Sequence, residues 1–258
     1  MKTQESHSVL PTADGYPKDF LPDAGEHITA PRLMRVSEVD RECDPTSAPA
    51  MVIKWLREFC ARPNPQLGRA GTVCPFVPNS LQLDSIRITE LSPEKLGIDG
   101  LCKIFSDYRD LFLTTEPTSG LEKYNKAILV TFPSLSTSGA EGIALLNEVE
   151  ARLKRSFIEK GMMLGEFDPA NQAHGLRNPE FRPFQSPVPL LGMRHMVEAD
   201  LPFMTMPGYT AEECSCYLRS YLFRLGGIVR RPKFNEAIGR LIVAETAMRN
   251  AGQETSNT

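Results

Sequence analysis

Hydrophobic and polar residues follow two different periods along the chain. Apolar residues three and four positions apart predict helices over residues 47–61, 92–114, 139–160, 210–225 and 233–250. Short apolar or alternating runs predict strands over residues 84–91, 127–132, 162–167 and 188–194. Pro63 and Gly161 are expected to end the helices that precede them, since proline cannot continue a helix and glycine adopts the left-handed cap.

The order of these elements predicts an α+β fold. No helical pattern lies between the strands at 162–167 and 188–194, so this pair is expected to be antiparallel. We therefore expect a single domain over residues 46–250, with a mixed sheet of four or more strands flanked by helices. Residues 1–45 are interpreted as an extended acidic arm, because prolines interrupt them and no period persists. Residues 251–258 are expected to form a flexible tail.

Composition excludes several functional classes. The chain has 258 residues, of which 41% are hydrophobic and 24% charged, as in ordinary globular proteins. A net charge of −3 provides no electrostatic basis for general nucleic-acid binding. No apolar run reaches the length of about 18 residues that a membrane helix needs. The N-terminus lacks a secretory pattern and the six cysteines are scattered, so we expect a cytoplasmic protein with reduced thiols.

Chemically useful side chains concentrate in residues 161–203. The familiar motifs for phosphate loops, dinucleotide binding, zinc proteases and nucleophile elbows are absent from the sequence. Instead, one predicted strand brings Glu166 to its carboxyl end, and the next finishes at Arg194 and His195. A carboxylate or a neutral imidazole can accept a proton near neutral pH. The alternative for His195 is a structural histidine at the end of a strand.

The connection between these two strands is longer than chain closure requires, which is typical of functional or disordered loops. It contains His174, Arg177 and Arg182. Arginines of this kind clamp carboxylates through two hydrogen bonds, although each has a solvated or ion-paired role as its alternative. Upstream, Cys74 and Phe76 flank Pro75, in a turn where a thiolate can act as nucleophile or metal ligand. The alternative for Cys74 is a small buried apolar side chain.

Four strings carry a resemblance to known sequences: CPFVP at 74–78, GMMLGEF at 161–167, GLRNP at 175–179 and SPVPLLGMRHMVEADLPF at 186–203. Over residues 50–205 the chain resembles an uncharacterised family of bacterial and fungal proteins often encoded in specialised-metabolite gene clusters. The Cys-Pro-Phe string and the late Arg and His residues are also similar to the YqcI/YcgG group, which includes haem-dependent enzymes that N-oxygenate guanidine-type substrates. The chain departs from that group in having Trp55 as its sole tryptophan.

The resemblance implies a small-molecule tailoring enzyme of specialised metabolism. In its haem-dependent oxygenase or oxidoreductase form, His195 binds the haem iron, and Arg194, Arg177 or Arg182 binds the propionates or a substrate carboxylate. His174 and Phe76 are further expected substrate- or cofactor-binding residues, with Phe76 lining the cavity. In a cofactor-free form, Glu166 or His195 acts as general base. The alternative class is a non-catalytic binding or accessory protein. The expected partners are a small-molecule substrate and either a second copy of the chain or a biosynthetic partner enzyme.

Overall fold

The structure is a computed structural model that describes residues 31–94, 96–136 and 139–256. Its strands are β1 (Met34–Arg35), β2 (Ile86–Glu90), β3 (Ala127–Thr131), β4 (Met162–Phe167) and β5 (Leu190–His195). They form one five-stranded sheet in the order β1-β2-β3-β5-β4. β2 and β3 are parallel, whereas β1 with β2, β3 with β5 and β4 with β5 pair antiparallel. β4 is therefore an edge strand.

Helices surround this sheet. They are α1 (Val36–Glu42), α2 (Ala48–Trp55), α3 (Val77–Gln82), α4 (Gly97–Thr114), α5 (Gly139–Glu159), α6 (Ala211–Leu225) and α7 (Arg231–Ser256). A π-helical turn, Leu56–Cys60, continues α2, and 3-10 turns lie at Pro65–Leu67, Glu122–Asn125, Pro133–Ser136 and Glu198–Met204.

Each face of the sheet packs against different helices. Ile86, Ile88 and Leu129 contact α1, α2 and α3 through a core that also contains Val52 and Ile53. The opposite face packs against α4 and α5, and a second core joins α6 and α7 to the turn that follows β5. The described residues from Leu33 onward form one compact unit. The predicted α+β class, with a mixed sheet of at least four strands, is confirmed.

Most predicted elements appear close to their expected bounds. Gly161 ends α5 with a φ of +73°, as predicted for a left-handed cap. α4 begins at Gly97 rather than near residue 92, because Pro93 and Leu96 first close a separate turn. The antiparallel pairing of β4 with β5 is also as predicted.

Three segments differ from the sequence interpretation. Residues 34–42, assigned to the extended arm, form β1 and α1, because Val36 and Val39 pack into the core. The remainder of the predicted arm, residues 1–30, lies outside the described residues. The Cys-Pro-Phe segment leads into α3, where a proline occupies the first turn. α7 extends to Ser256, beyond residue 250 where the flexible tail was predicted to begin.

Among the described residues, no helix has the combination of length and apolar character that crossing a membrane requires.

Candidate functional site

The carboxyl end of β4 presents two chemically different side chains to the two faces of the sheet. Successive side chains in a strand point to opposite faces, so Glu166 and Phe167 diverge. Glu166 hydrogen-bonds Glu150, which is on α5. Phe167 instead contacts the Trp55 ring edge-on, with ring centroids 5.9 Å apart. Each face of this strand end therefore has its own local environment.

On the α5 face, four polar side chains form a connected group, which we call the Glu166 cluster: Glu150, Lys154, Glu166 and Tyr209. Lys154 Nζ donates to Glu150 Oε1 at 3.0 Å and to the Tyr209 hydroxyl, and it lies 5.1 Å from the Tyr209 ring centroid. The side chains of Lys154 and Glu150 are 19% and 16% exposed. The cluster is therefore largely, but not completely, withdrawn from water.

Burial and the neighbouring carboxyl group change the acidity of this cluster. Burial, followed by the hydrogen bond and the negative charge of Glu150, raises the pKa of Glu166 to about 8. Burial opposes the charge on Lys154, but Glu150 and Tyr209 outweigh it and raise the pKa of that amine. At neutral pH Glu166 is therefore mainly protonated, and the Lys154 ammonium lies beside the Glu150 carboxyl group.

Such an arrangement is suited to proton transfer. A carboxyl group is an effective acid or base when its pKa lies near the working pH, and Glu166 meets this condition. The hydrogen bond that protonated Glu166 donates to Glu150 holds the group in place, and the ammonium of Lys154 stabilises negative charge that develops beside it.

His195 is the last residue of β5 and lies at the opposite end of the β4–β5 pair from Glu166. It pairs with Met162, four residues before Glu166, which corresponds to about 13 Å along the strand. Its ring lies 4.9 Å from the Phe112 ring and 5.9 Å from the Tyr124 ring, measured between centroids. Burial and the charges of two lysines, Lys126 and Lys123, lower its pKa to about 4. The imidazole is therefore neutral at physiological pH.

Arg194 is engaged in an internal ion pair. Both of its terminal nitrogens donate to the carboxylate of Asp200 at 2.7 Å. Asp200 is buried and also accepts from the backbone N–H of Val197 at 2.8 Å. This pair attaches β5 to the 3-10 turn that follows it. The contacts of Arg194 are therefore those of a residue that stabilises the fold.

The residues around His195 do not fit a haem. The ring is enclosed by Phe112 and Tyr124 and hydrogen-bonds the backbone of Gly161. The guanidinium expected to hold a propionate, that of Arg194, is already paired with Asp200. We therefore derive no step of the chemistry through haem at this position.

Cys74 and Phe76 lie on the opposite side of the sheet from Glu166. Cys74 packs beside the core of α1, α2 and α3, and its backbone N–H donates to the carbonyl of Cys60 at 2.9 Å. The carbonyl of Phe76 accepts from the backbone N–H of Ser80 at the start of α3. Cys74, Glu166 and His195 therefore do not form one catalytic centre, because they occupy different faces or ends of the sheet.

The loop from β4 to β5 lies against the segment that follows α2. The backbone of Arg177 approaches Gly68, whose φ of +71° a residue with a side chain rarely adopts. The exposed ring of His174 lies near the carbonyl of its neighbour Gly175, with Nδ1 3.2 Å from that oxygen. Among the predicted loop residues, Arg182 lines a cavity, together with Trp55. Arg177 and His174 do not line that cavity, and their binding roles remain predictions.

Three members of the Glu166 cluster were not predicted from the sequence. Glu150 and Lys154 follow Leu146 at intervals of four residues, so they share a helical row with a core residue. Charged residues in such a row are a detectable signal of a polar site beside the core. Tyr209 comes from a loop that is distant in sequence, and no periodic signal places it here.

Comparison with known proteins identifies the family of the chain. No curated protein and no solved structure matches it. A family model described as domain of unknown function DUF6875 matches residues 50–231, which include β2 to β5 and the Glu166 cluster. The resemblance to proteins of metabolite gene clusters rests on much of the same stretch and remains a prediction. With more than two thirds of its length matched, the chain belongs to the DUF6875 family.

Proposed function

We propose that this protein is an enzyme that transfers a proton to or from a small molecule at the Glu166 cluster. Glu166 is the catalytic acid–base group in this proposal, and Glu150 and Lys154 are positioning residues. The observation that carries the proposal is the hydrogen bond between two largely buried carboxyl groups, Glu166 and Glu150, beside the Lys154 ammonium. Strongly perturbed carboxyl groups with a specific charged partner are typical of functional sites.

The proposed cycle uses only residues of this chain. At neutral pH the protonated Glu166 donates its proton to the substrate, and the resulting carboxylate recovers a proton from water or from the product. Lys154 favours the transient negative charge on Glu166, since its ammonium lies within the same cluster. The Tyr209 hydroxyl offers the substrate a hydrogen-bond donor at the rim of the cluster.

Solvent isotope labelling tests the proposal and does not require that the substrate be identified first. The purified protein is incubated in D₂O with a metabolite extract, and mass spectrometry follows which metabolites gain deuterium or change mass. We expect at least one protein-dependent change, reduced by about 100-fold or more in Glu166→Gln, because a positioned acid–base group contributes factors of this size. Gln keeps the shape of the side chain but cannot exchange the proton.

Glu148→Gln is the matched control. Glu148 is on α5, the helix that also carries Glu150 and Lys154, and it forms an exposed ion pair with Arg152 at 2.7 Å. This variant should retain the wild-type labelling rate. Absence of any protein-dependent labelling, or equal labelling by wild type and Glu166→Gln, contradicts the enzymatic proposal and favours the alternative of a non-catalytic binding or accessory protein.

A further inference from the structure

A groove with an aromatic wall lies on the face of the sheet opposite to the Glu166 cluster. Trp55 and Phe59 project side by side from the end of α2 and the π-helical turn, and a cavity opens on each side of them. The two cavities have volumes of about 470 Å³ and 420 Å³. Small-molecule sites in proteins usually have volumes in this range. We call this feature the Trp55 groove.

The aromatic wall is held by its neighbours. The Trp55 and Phe59 rings stack with centroids 6.0 Å apart and an angle of 19° between their planes. Phe167 of β4 supports Trp55 edge-on, and buried Phe181 supports Phe59 at a centroid distance of 6.1 Å. A wall fixed in this way loses little conformational entropy when a flat ligand packs on it.

The local backbone gives a second indication of a binding site. The N–H of Ala61 donates to the carbonyl of Leu56 at 2.8 Å, which is the i→i+5 bond of a π turn. π turns are rare, and they are frequent at functional sites. This turn includes Phe59, the second member of the aromatic wall.

The loop between β4 and β5 contributes one positively and one negatively charged side chain, Arg182 and Glu180, to the 420 Å³ cavity. The guanidinium of Arg182 donates through one terminal nitrogen to the backbone carbonyls of Pro179 and Phe181, which fixes its direction. Within the described parts of the chain, no carboxylate lies at ion-pair distance from Arg182, and no cation lies at that distance from Glu180. Both side chains line the cavity and remain able to pair with a ligand.

We propose that the Trp55 groove binds a free aromatic amino acid. Its ring would pack on Trp55 and Phe59, its carboxylate would accept from Arg182, and its ammonium would donate to Glu180. A ring, an anion and a cation on one small molecule match the aromatic wall and the two unpaired charges of the cavity. The site lies on the other face of the sheet from Glu166 and is independent of the proposed acid–base function.

Intrinsic fluorescence tests this inference directly, because Trp55 is the only tryptophan in the chain. L-phenylalanine is the probe, since its ring does not absorb at the wavelength that excites tryptophan. We expect a saturable change in Trp55 emission, and we expect 3-phenylpropionate and phenethylamine, which each lack one charge, to bind at least tenfold more weakly. Arg182→Gln should weaken L-phenylalanine binding at least tenfold.

Arg155→Gln is the control, since Arg155 forms an exposed ion pair on α5 with Glu159. It should bind L-phenylalanine as wild type does. Isothermal titration calorimetry on the same samples detects binding that leaves the emission unchanged. No saturable signal in either measurement, or equal affinity in Arg182→Gln, overturns the proposed site. Equal affinity for 3-phenylpropionate and L-phenylalanine overturns the role of Glu180 and with it the amino-acid assignment.

Discussion

Asp200→Ala removes the acceptor of three hydrogen bonds at a buried position. Both terminal nitrogens of Arg194 and the backbone N–H of Val197 donate to this carboxylate at distances of 2.7–2.8 Å. The Asp200 side chain is only 2% exposed, whereas that of Arg194 is 33% exposed. The substitution therefore leaves a guanidinium that water reaches only in part and a backbone N–H without its acceptor.

The structure sets the size of the expected effect. Removing one partner of a buried ion pair usually costs about 3–5 kcal/mol, because the other charge remains without compensation. The partial exposure of Arg194 allows some hydration of that charge, so we expect a loss near the lower limit, about 3 kcal/mol. With a urea m-value of about 3 kcal/mol/M, the unfolding midpoint should fall by about 1 M.

Urea unfolding followed by circular dichroism measures this change, with Arg155→Gln as the comparison. That variant removes an ion pair whose side chains are 63% and 48% exposed, and such pairs contribute about 0–1 kcal/mol. If Asp200→Ala is no less stable than Arg155→Gln, the internal pair is not structural. Arg194 then becomes available as the ligand-binding residue that the sequence predicts.

Three further substitutions, and Gly165→Ala as the control for the first, test the packing and the charge states. Gly192→Ala should lower the free energy of unfolding by about 1–2 kcal/mol, because its Cβ would lie 3.1 Å from a side-chain carbon of Leu129; Gly165→Ala, with no contact below 4.0 Å, should change it by less than about 0.5 kcal/mol in the same urea assay. The pKa of His195 is lowered to about 4, so the stability that its neutral ring contributes is complete above its ordinary pKa of 6.5 and is lost as the pH falls towards 4. Melting temperatures of His195→Gln should decline less over this interval, and an unchanged decline contradicts the account. Lys126→Met leaves two backbone carbonyls without the ammonium that now donates to them and should cost about 1–3 kcal/mol by urea unfolding; a cost below about 0.5 kcal/mol is inconsistent with these bonds.

Periodicity predicted the long elements because burial enforces it. α5 repeats its apolar residues, among them Val149, Leu153 and Phe157, on the face that meets the sheet, and the same spacing is visible in the sequence. α1 and α3 are too short for a period of this kind to be distinct from chance. For α3, a proline in the first turn was the available signal.

The candidate site was harder to predict than the fold. The sequence located reactive groups at the ends of β4 and β5, and the structure contains Glu166 and His195 at those ends. Because the two paired strands are antiparallel, the carboxyl end of β4 and the carboxyl end of β5 lie at opposite ends of the strand pair. The antiparallel pairing was itself predicted, so this separation was deducible. That Glu166 faces α5, and that Lys154 of this helix meets Tyr209, depends on tertiary packing, which a single sequence does not specify.

The acid–base account depends on the state of Glu166. Because its pKa in the folded protein is raised to about 8, from an ordinary value of 4.5, the stability that its protonated form contributes is complete below about pH 4.5 and is lost as the pH rises through 8. Glu166→Gln should therefore be more stable than the wild type in mildly alkaline solution.

A carboxyl ¹³C NMR titration of the glutamate-labelled protein measures the protonation of this group directly. We predict one resonance with a midpoint near pH 8 that is absent in Glu166→Gln and retained in Glu148→Gln. If every glutamate carboxyl titrates near its ordinary pKa of 4.5, Glu166 is ionised at neutral pH, and the Glu166 cluster is not an acid–base site.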